Sequence, residues 1–226
     1  MKIVFDHVDK KFGIVYALKD VSFEIDQGDF VFITGNSGAG KSTILKLILN
    51  QLKPTAGKIL LGDIDLSQDN KDDINNTRRK IGVVFQDYQL ISDKTIEENI
   101  ALVLDIVNYP PEKVQSRIDK VIKEVNLGNR RFLFPSQLAG GELQRASLAR
   151  ALAIEPEVIL ADEPTGNLDS ENSWNIVKLL KDINKENKTT VIMTTHNNEI
   201  VESMGKRVIK LDECEVIKDY KHSKKQ

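Results

Sequence analysis

Gly35-Asn36-Ser37-Gly38-Ala39-Gly40-Lys41-Ser42 combines three glycines, one lysine and two hydroxyls in eight consecutive residues. The apolar run Phe30–Thr34 precedes it and a helical pattern opens at Thr43. Gly35, Gly38 and Gly40 let the backbone curl so that successive N–H groups, those of Asn36, Ser37 and Ala39 included, point inward as an anion cradle. The helix that follows turns its positive end toward the same anion. Lys41 adds a point charge suited to the β- and γ-phosphates, and the Ser42 hydroxyl can ligate Mg²⁺. The spacing predicts nucleoside triphosphate binding, without saying for what purpose.

A second group of residues supplies reaction chemistry. Val158-Ile-Leu-Ala-Asp162-Glu163 is an apolar strand ending in two acids. Burying it puts the acids at the carboxyl edge of a sheet, where ligands of α/β folds collect. Asp162 is placed for the Mg²⁺ shell. Glu163 points elsewhere and is a candidate general base for an attacking water. A base beside a metal ligand favours hydrolysis over transfer to an acceptor.

Strands and helices of distinct pattern must position these groups. Val21, Phe23 and Ile25 alternate with polar residues as in a half-buried strand, and with Ile3–Val8 and Lys58–Leu61 predict an N-terminal antiparallel sheet. Phe30–Thr34, Ile81–Phe85, Val158–Ala161 and Thr189–Thr195 are nearly continuous apolar runs, the pattern of parallel strands covered on both faces. Leu45, Ile48, Leu49 and Leu52 follow a helical period. So do Val114, Ile118, Val121, Ile122 and Val125, and likewise Trp174, Ile176, Val177, Leu180 and Ile183. The stretch from about Asp87 to Glu155 reads as wholly helical, and Arg207–Leu211 with Cys214–Lys218 as a closing hairpin. The expectation is one domain: an α/β core over 1–86 and 156–226, interrupted by a helical lobe over 87–155.

Composition narrows the classes. A net charge of −2 argues against a dedicated nucleic-acid binder. Cys214 is the one cysteine, so no internal disulfide forms, and its neighbours Glu213 and Glu215 disfavour a reactive thiolate. No apolar run is long enough to span a bilayer, so a membrane role is expected to come through a partner. The basic tail from Lys221 through Lys224 and Lys225 offers at most a secondary lipid contact.

Leu138-Ala139-Gly140-Gly141-Glu142-Leu-Gln-Arg145 resembles the signature LSGGQ of the ABC ATPases. That family's other motifs stand around it in order. Gln86 ends IGVVFQ like the Q-loop glutamine, Asn167-Leu168-Asp169 resembles the D-loop, and His196 follows VIMTT like the switch histidine. The resemblance runs from Phe5 to about Asp219. It implies a P-loop ABC fold hydrolysing MgATP, with Ser42, Gln86 and Asp162 on the metal and Lys41, Glu163 and His196 catalytic. It also implies that Phe12, with Tyr16 as second choice, stacks on adenine, since either ring offers a π face. The signature Ala139–Glu142 would close over the phosphate loop of a second copy, so that two ATP molecules lie between two chains.

SGAGKST with ILKLI, TRRKIGVVFQDYQLISDKTIEENIAL, FPSQLAGGE and ADEPTGNLD resemble the cell-division ATP-binding proteins FtsE. That resemblance implies an FtsX-type membrane partner, a place on the cytoplasmic face of the plasma membrane, and work in septum formation and peptidoglycan hydrolase control. ADEPTGNLD is shared with lipoprotein-releasing and macrolide-type exporter ATPases, which leaves a transport role as the alternative.

Ala139 departs from the family's serine, whose hydroxyl would donate to the γ-phosphate across the interface. Losing such a bond to a charged group costs roughly 1.5–3 kcal/mol per site, or about ten- to a hundredfold in closure or rate. Ala139→Ser is therefore expected to raise steady-state phosphate release; unchanged or lower turnover would count against this reading of the signature.

Overall fold

The computed structural model describes residues 1–68 and 71–221. Two sheets organise it. β1 (Ile3–Phe12), β2 (Val15–Ile25), β4 (Ala56–Leu61) and β5 (Ile64–Asp65) form an antiparallel sheet of order β2-β1-β4-β5. The alternation in Val21–Ile25 sends Val21, Phe23 and Ile25 inward and leaves Ser22 and Glu24 exposed. Phe5 pairs with Phe23 in register, and their rings stack with centroids 4.5 Å apart.

The second sheet has six strands. β3 (Phe30–Thr34), β6 (Ile81–Phe85), β7 (Val158–Asp162), β8 (Thr190–Thr194), β9 (Arg207–Asp212) and β10 (Glu215–Lys221) stand in the order β10-β9-β3-β8-β7-β6. The neighbours from β9 to β6 pair in parallel, and β10 closes the edge antiparallel to β9. This sheet is buried on both faces, as the continuous apolar runs require. Phe30, Phe32, Ile159 and Ala161 face one hydrophobic cluster, while Val31, Ile33, Val158 and Leu160 face the other. Parallel pairing brings the carboxyl ends of β3, β7 and β8 to one edge.

Helices α1 (Lys41–Ile48), α4 (Pro111–Glu124) and α6 (Ser170–Asn187) follow the apolar periods, while α3 (Ile96–Ile106) and α5 (Gly140–Ala153) lie in the stretch expected to be helical. The stretch between β6 and β7 holds α3, α4, α5 and two short 3₁₀ turns but is not wholly helical, since residues 86–95 and most of 125–139 form turns and irregular loops. Local chemistry starts these helices. Thr95 and Glu98 form a reciprocal capping box at α3. Asp169 caps α6 by accepting from Asn172 N at 2.8 Å. α5 is buried over most of its surface, where Ala146, Ala149, Ala151 and Ala153 pack with Leu148 and Leu152 and with the polar Gln144 and Ser147. The alanines allow close approach, and a Cβ on Gly82 of β6 would lie 2.7 Å from the Ala151 carbonyl oxygen.

Three further features depart from the sequence expectation. α1 ends at Ile48, so Leu52 packs against the core from the loop beyond it. α2 (Lys71–Arg78) and α7 (Asn198–Met204) were not expected, since both are short and polar and show little periodicity. No helix among the described residues is long and apolar enough to cross a membrane. Trp174 packs against the core as its helical face predicts. Cys214 is tied structurally, its thiol donating to the Tyr16 carbonyl at 3.2 Å. Lys224 and Lys225 lie outside the described residues.

Candidate active site

The loop from Gly35 to Gly40 leaves β3 and enters α1 with Gly35, Gly38 and Gly40 at φ of 151°, 82° and 102°. At Gly40 the geometry excludes any side chain, for a Cβ would sit 2.5 Å from the Ala17 carbonyl and 2.6 Å from Leu18. β2 therefore runs against the loop and fixes its curl. Lys41 is 6% exposed, and its Nζ donates to the Gly35 and Asn36 carbonyls at 2.9 and 3.1 Å. Ser37 and Ala39 lie along the same curl, and Thr43 is in the first turn of α1.

Both acids reach this loop. Asp162 Oδ1 accepts from Ser42 Oγ at 3.1 Å and from Thr194 Oγ1 at 2.7 Å. Thr194 Oγ1 in turn accepts from Glu163 N at 2.8 Å. Glu163 adopts a left-handed φ of 43°, which turns its side chain away from that of Asp162. One of its carboxylate oxygens lies 3.5 Å from Lys41 Nζ, and the other is 2.7 Å from His196 Nδ1. Because a carboxylate only accepts, this contact puts the His196 proton on Nδ1. A cavity of about 610 Å³ opens here, lined by Gly35, Asn36, Ser37, Lys41, Glu163 and His196 at one end. Lys210 and Tyr220 stand at its other end.

The signature stands apart from that cavity. Ala139 is the N-cap of α5, and its N–H donates to Glu142 at 3.0 Å. Glu142 also accepts from Arg130 at 2.8 Å, and these two bonds hold its carboxyl below the usual range, the arginine contributing more. Gly140 and Gly141 are closely backed, by Tyr88 and by Asn172 respectively. Ala139–Glu142 do not line the cavity around Gly35 and Lys41. Gln86 is hydrogen-bonded to Asn167, with its Nε2 donating to Asn167 Oδ1 at 3.1 Å, and not to Ser42 or Asp162. Phe12 is 53% exposed near the tip of the β1–β2 hairpin. Tyr16, on the same hairpin, is covered by Lys11, whose Nζ is 4.3 Å from the ring centroid. Lys10 Nζ likewise stands over the Phe12 ring, 5.2 Å from its centroid, so each ring carries a lysine and Phe12 is only the more exposed of the two. The hairpin adjoins the loop through Ala17 and Leu18.

The sequence profile described as ABC transporter matches residues 18–166. The chain belongs to the ABC transporter family. This ABC chain is 45% identical to the cell division ATP-binding protein FtsE of Bacillus subtilis (strain 168) over 91% of its length and 90% of the relative's. It is 38% identical to the methionine import ATP-binding protein MetN of Vibrio vulnificus (strain YJ016) over 84% of its own length, which is 55% of MetN. Its fold superposes on a dimeric post-hydrolysis state of the ATP-binding cassette MJ0796 bound to ADP and Pi. That match has a TM-score of 0.88 and 38% identity, covering 98% of this chain and 99% of the other. The chain is an ABC-type ATPase, with the mixed α/β architecture of such cassettes.

Thr194 is the site residue that sequence reading of this ABC chain passed over. Its signal was a hydroxyl at the end of an otherwise apolar strand, VIMTT. Fully buried, it bridges Asp162 and the Glu163 backbone. Thr194→Val keeps the shape and removes both bonds. It is expected to lower stability by about 1–3 kcal/mol in urea denaturation and to reduce ATP turnover. Native stability together with native turnover would show the bridge to be idle.

Proposed function

We propose that this chain is the ATP-hydrolysing subunit of an FtsEX-type complex, pairing around two ATP molecules to drive an FtsX-type membrane protein. The observation that carries the reading is the carboxylate of Glu163 lying between Lys41 and His196, beside a phosphate loop that the chain's own signature does not reach. A second copy supplies Ala139, Gly140, Gly141 and Glu142 to that cradle. At the N-terminus of α5 Ala139 is exposed, Gly140 half-buried and Gly141 buried, and the unpaired N–H groups of such a terminus suit an anion.

Substrate ATP lies with its phosphates over Gly35–Thr43 and its adenine against Phe12. Glu163 takes a proton from water as the water oxygen bonds to the γ-phosphorus and the bond to the ADP oxygen breaks. Lys41 and the loop amides stabilise the charge that develops, and His196 orients Glu163 and the water. Ser42 and Asp162 are adjacent hard oxygen donors, two protein ligands that leave the rest of a coordination shell open. Such an open set fits Mg²⁺, which keeps waters and phosphate oxygens in its shell. Gln86 would complete the set through its amide oxygen, and the ion supplies charge neutralisation on the phosphates. Loss of the γ-phosphate removes the contacts that hold the pair closed.

The membrane partner is expected at a groove of about 450 Å³ between α3 and the end of β6, lined by Val83, Phe85, Val103 and Ile106, with Arg78 and Arg79 at its rim. The surface from Asp87 to Glu98, which follows β6 and opens α3, is part of the same proposed contact. The groove supports a partner segment with apolar and acidic side chains, binding at the cytoplasmic face of the plasma membrane. The greater identity to FtsE, over nearly the whole relative, favours cell division and peptidoglycan hydrolase control. The similarity to MetN keeps a transport ATPase as the second reading.

With ATP, Glu163→Gln is expected to accumulate a dimer on gel filtration while hydrolysis falls by at least about a hundredfold; a monomer at saturating nucleotide would sink the paired mechanism. Ile106 is 57% exposed, so Ile106→Glu should fold normally. It is expected to abolish co-purification of the membrane partner and spare basal hydrolysis. Retention of the partner by that variant would remove the groove from the proposal.

A further inference from the structure

Two neighbouring arginines precede α5, and they are engaged differently. Arg131 donates to Glu97 at 2.7 Å and to Asp119 at 2.9 Å, which ties α3 to α4. Arg130 ends the 3₁₀ turn Gly128–Arg130 and donates through Nε to Glu142 at 2.8 Å. Its terminal nitrogens have no partner among the described residues. The side chain of Arg130 is 47% exposed and that of Glu142 21%, so the pair stands at the surface of the turn Ala139–Glu142.

Glu142 is the third residue of α5, and its other carboxylate oxygen accepts from Ala139 N at 3.0 Å. A serine or aspartate at the N-cap would accept from the first turn through its side chain. The Ala139 methyl cannot, and the amides of Gly140, Gly141 and Glu142 have no acceptor among the described residues. Arg130 and the Ala139 amide hold the Glu142 carboxyl below its usual range, with a smaller pull from Arg145, so it is ionised at neutral pH. A carboxylate thus lies at the same helix end whose free amides suit an anion, and like charges brought together there repel. Arg130 cancels that carboxylate within hydrogen-bond distance and leaves the amides to act.

We propose that Arg130 is a positioning residue that sets the net charge of the turn Ala139–Glu142, and through it the ATP concentration at which two copies pair. On the paired reading, from which this follows, the turn meets the terminal phosphate held by the other copy. Ease of pairing then tracks the charge of the turn. Arg130→Gln adds one negative charge, Glu142→Gln adds one positive charge, and the double variant returns to neutrality. A glutamine at 142 keeps an oxygen for the Ala139 N–H, so the helix start survives in each.

The full-length chain in the Glu163→Gln background is titrated with MgATP, and the concentration giving half-maximal dimer is read by gel filtration. Arg130→Gln is expected to need about tenfold more ATP than the parent, and Glu142→Gln several-fold less. The double variant should return to within about twofold of the parent. Arg130→Lys keeps the charge and should restore most of the loss. Raising the salt to about 1 M should narrow the gap between the two single variants, because partly exposed charges are screened. Binding of a fluorescent ATP analogue by monomeric Arg130→Gln should match the parent, since Arg130 does not line the cavity of its own chain. Arg130 is not the charge setter if its glutamine variant pairs at the parent's ATP concentration. The same holds if adding Glu142→Gln leaves the loss in place, as packing or a direct contact by Arg130 would. A parent that binds ATP yet stays monomeric overturns the paired reading itself, and the role of Arg130 with it.

Discussion

A buried ammonium governs this molecule. Lys41 is withdrawn from water inside a curl of backbone, with two carbonyls and one carboxylate as its neighbours. Carbonyl dipoles and a carboxylate at 3.5 Å compensate that charge only partly, so the site retains a demand for negative charge. Phosphate oxygens meet it. The glycines of the loop, the packing of β2 beneath Gly40 and the burial of β3 on both faces serve to hold that charge in place.

The acids are arranged by the same logic. Parallel strands β7 and β8 end side by side, so Thr194 can reach both Asp162 and the Glu163 backbone. The left-handed turn at Glu163 then separates two adjacent carboxylates into two roles. One faces Ser42, and the other faces Lys41 and His196. Adjacent carboxylates in a common pocket would repel and share a proton. Pointing them at different partners gives each its own set of contacts.

Distance shapes the rest. The signature turn is packed against Tyr88, Leu168 and Asn172, and it takes no part in lining the cavity of its own chain. In the paired reading proposed above, the N-terminus of α5 serves the phosphate loop of a second copy. α5 and β6 pack closely, and Gly82 admits the Ala151 backbone.

By itself the sequence determined the phosphate loop, the acidic strand, the antiparallel N-terminal sheet, the parallel core and the presence of helices before β7. Each rests on local spacing: glycines where φ must be positive, a period of two or of 3.6, or an apolar run closed by charge. Short polar helices such as α2 and α7 carry no such period and became visible only in the fold. The partners of each side chain were likewise a tertiary matter. Gln86 bonds to Asn167, Glu142 to Arg130, Thr194 to Asp162, and Arg150 to two carbonyls far away in the chain. Side-chain hydrogen bonds between distant segments depend on strand order and helix packing, which single-chain patterning does not encode. The tertiary structure also decided that cradle and signature stand apart, because the order of motifs along a chain says nothing of which way they face.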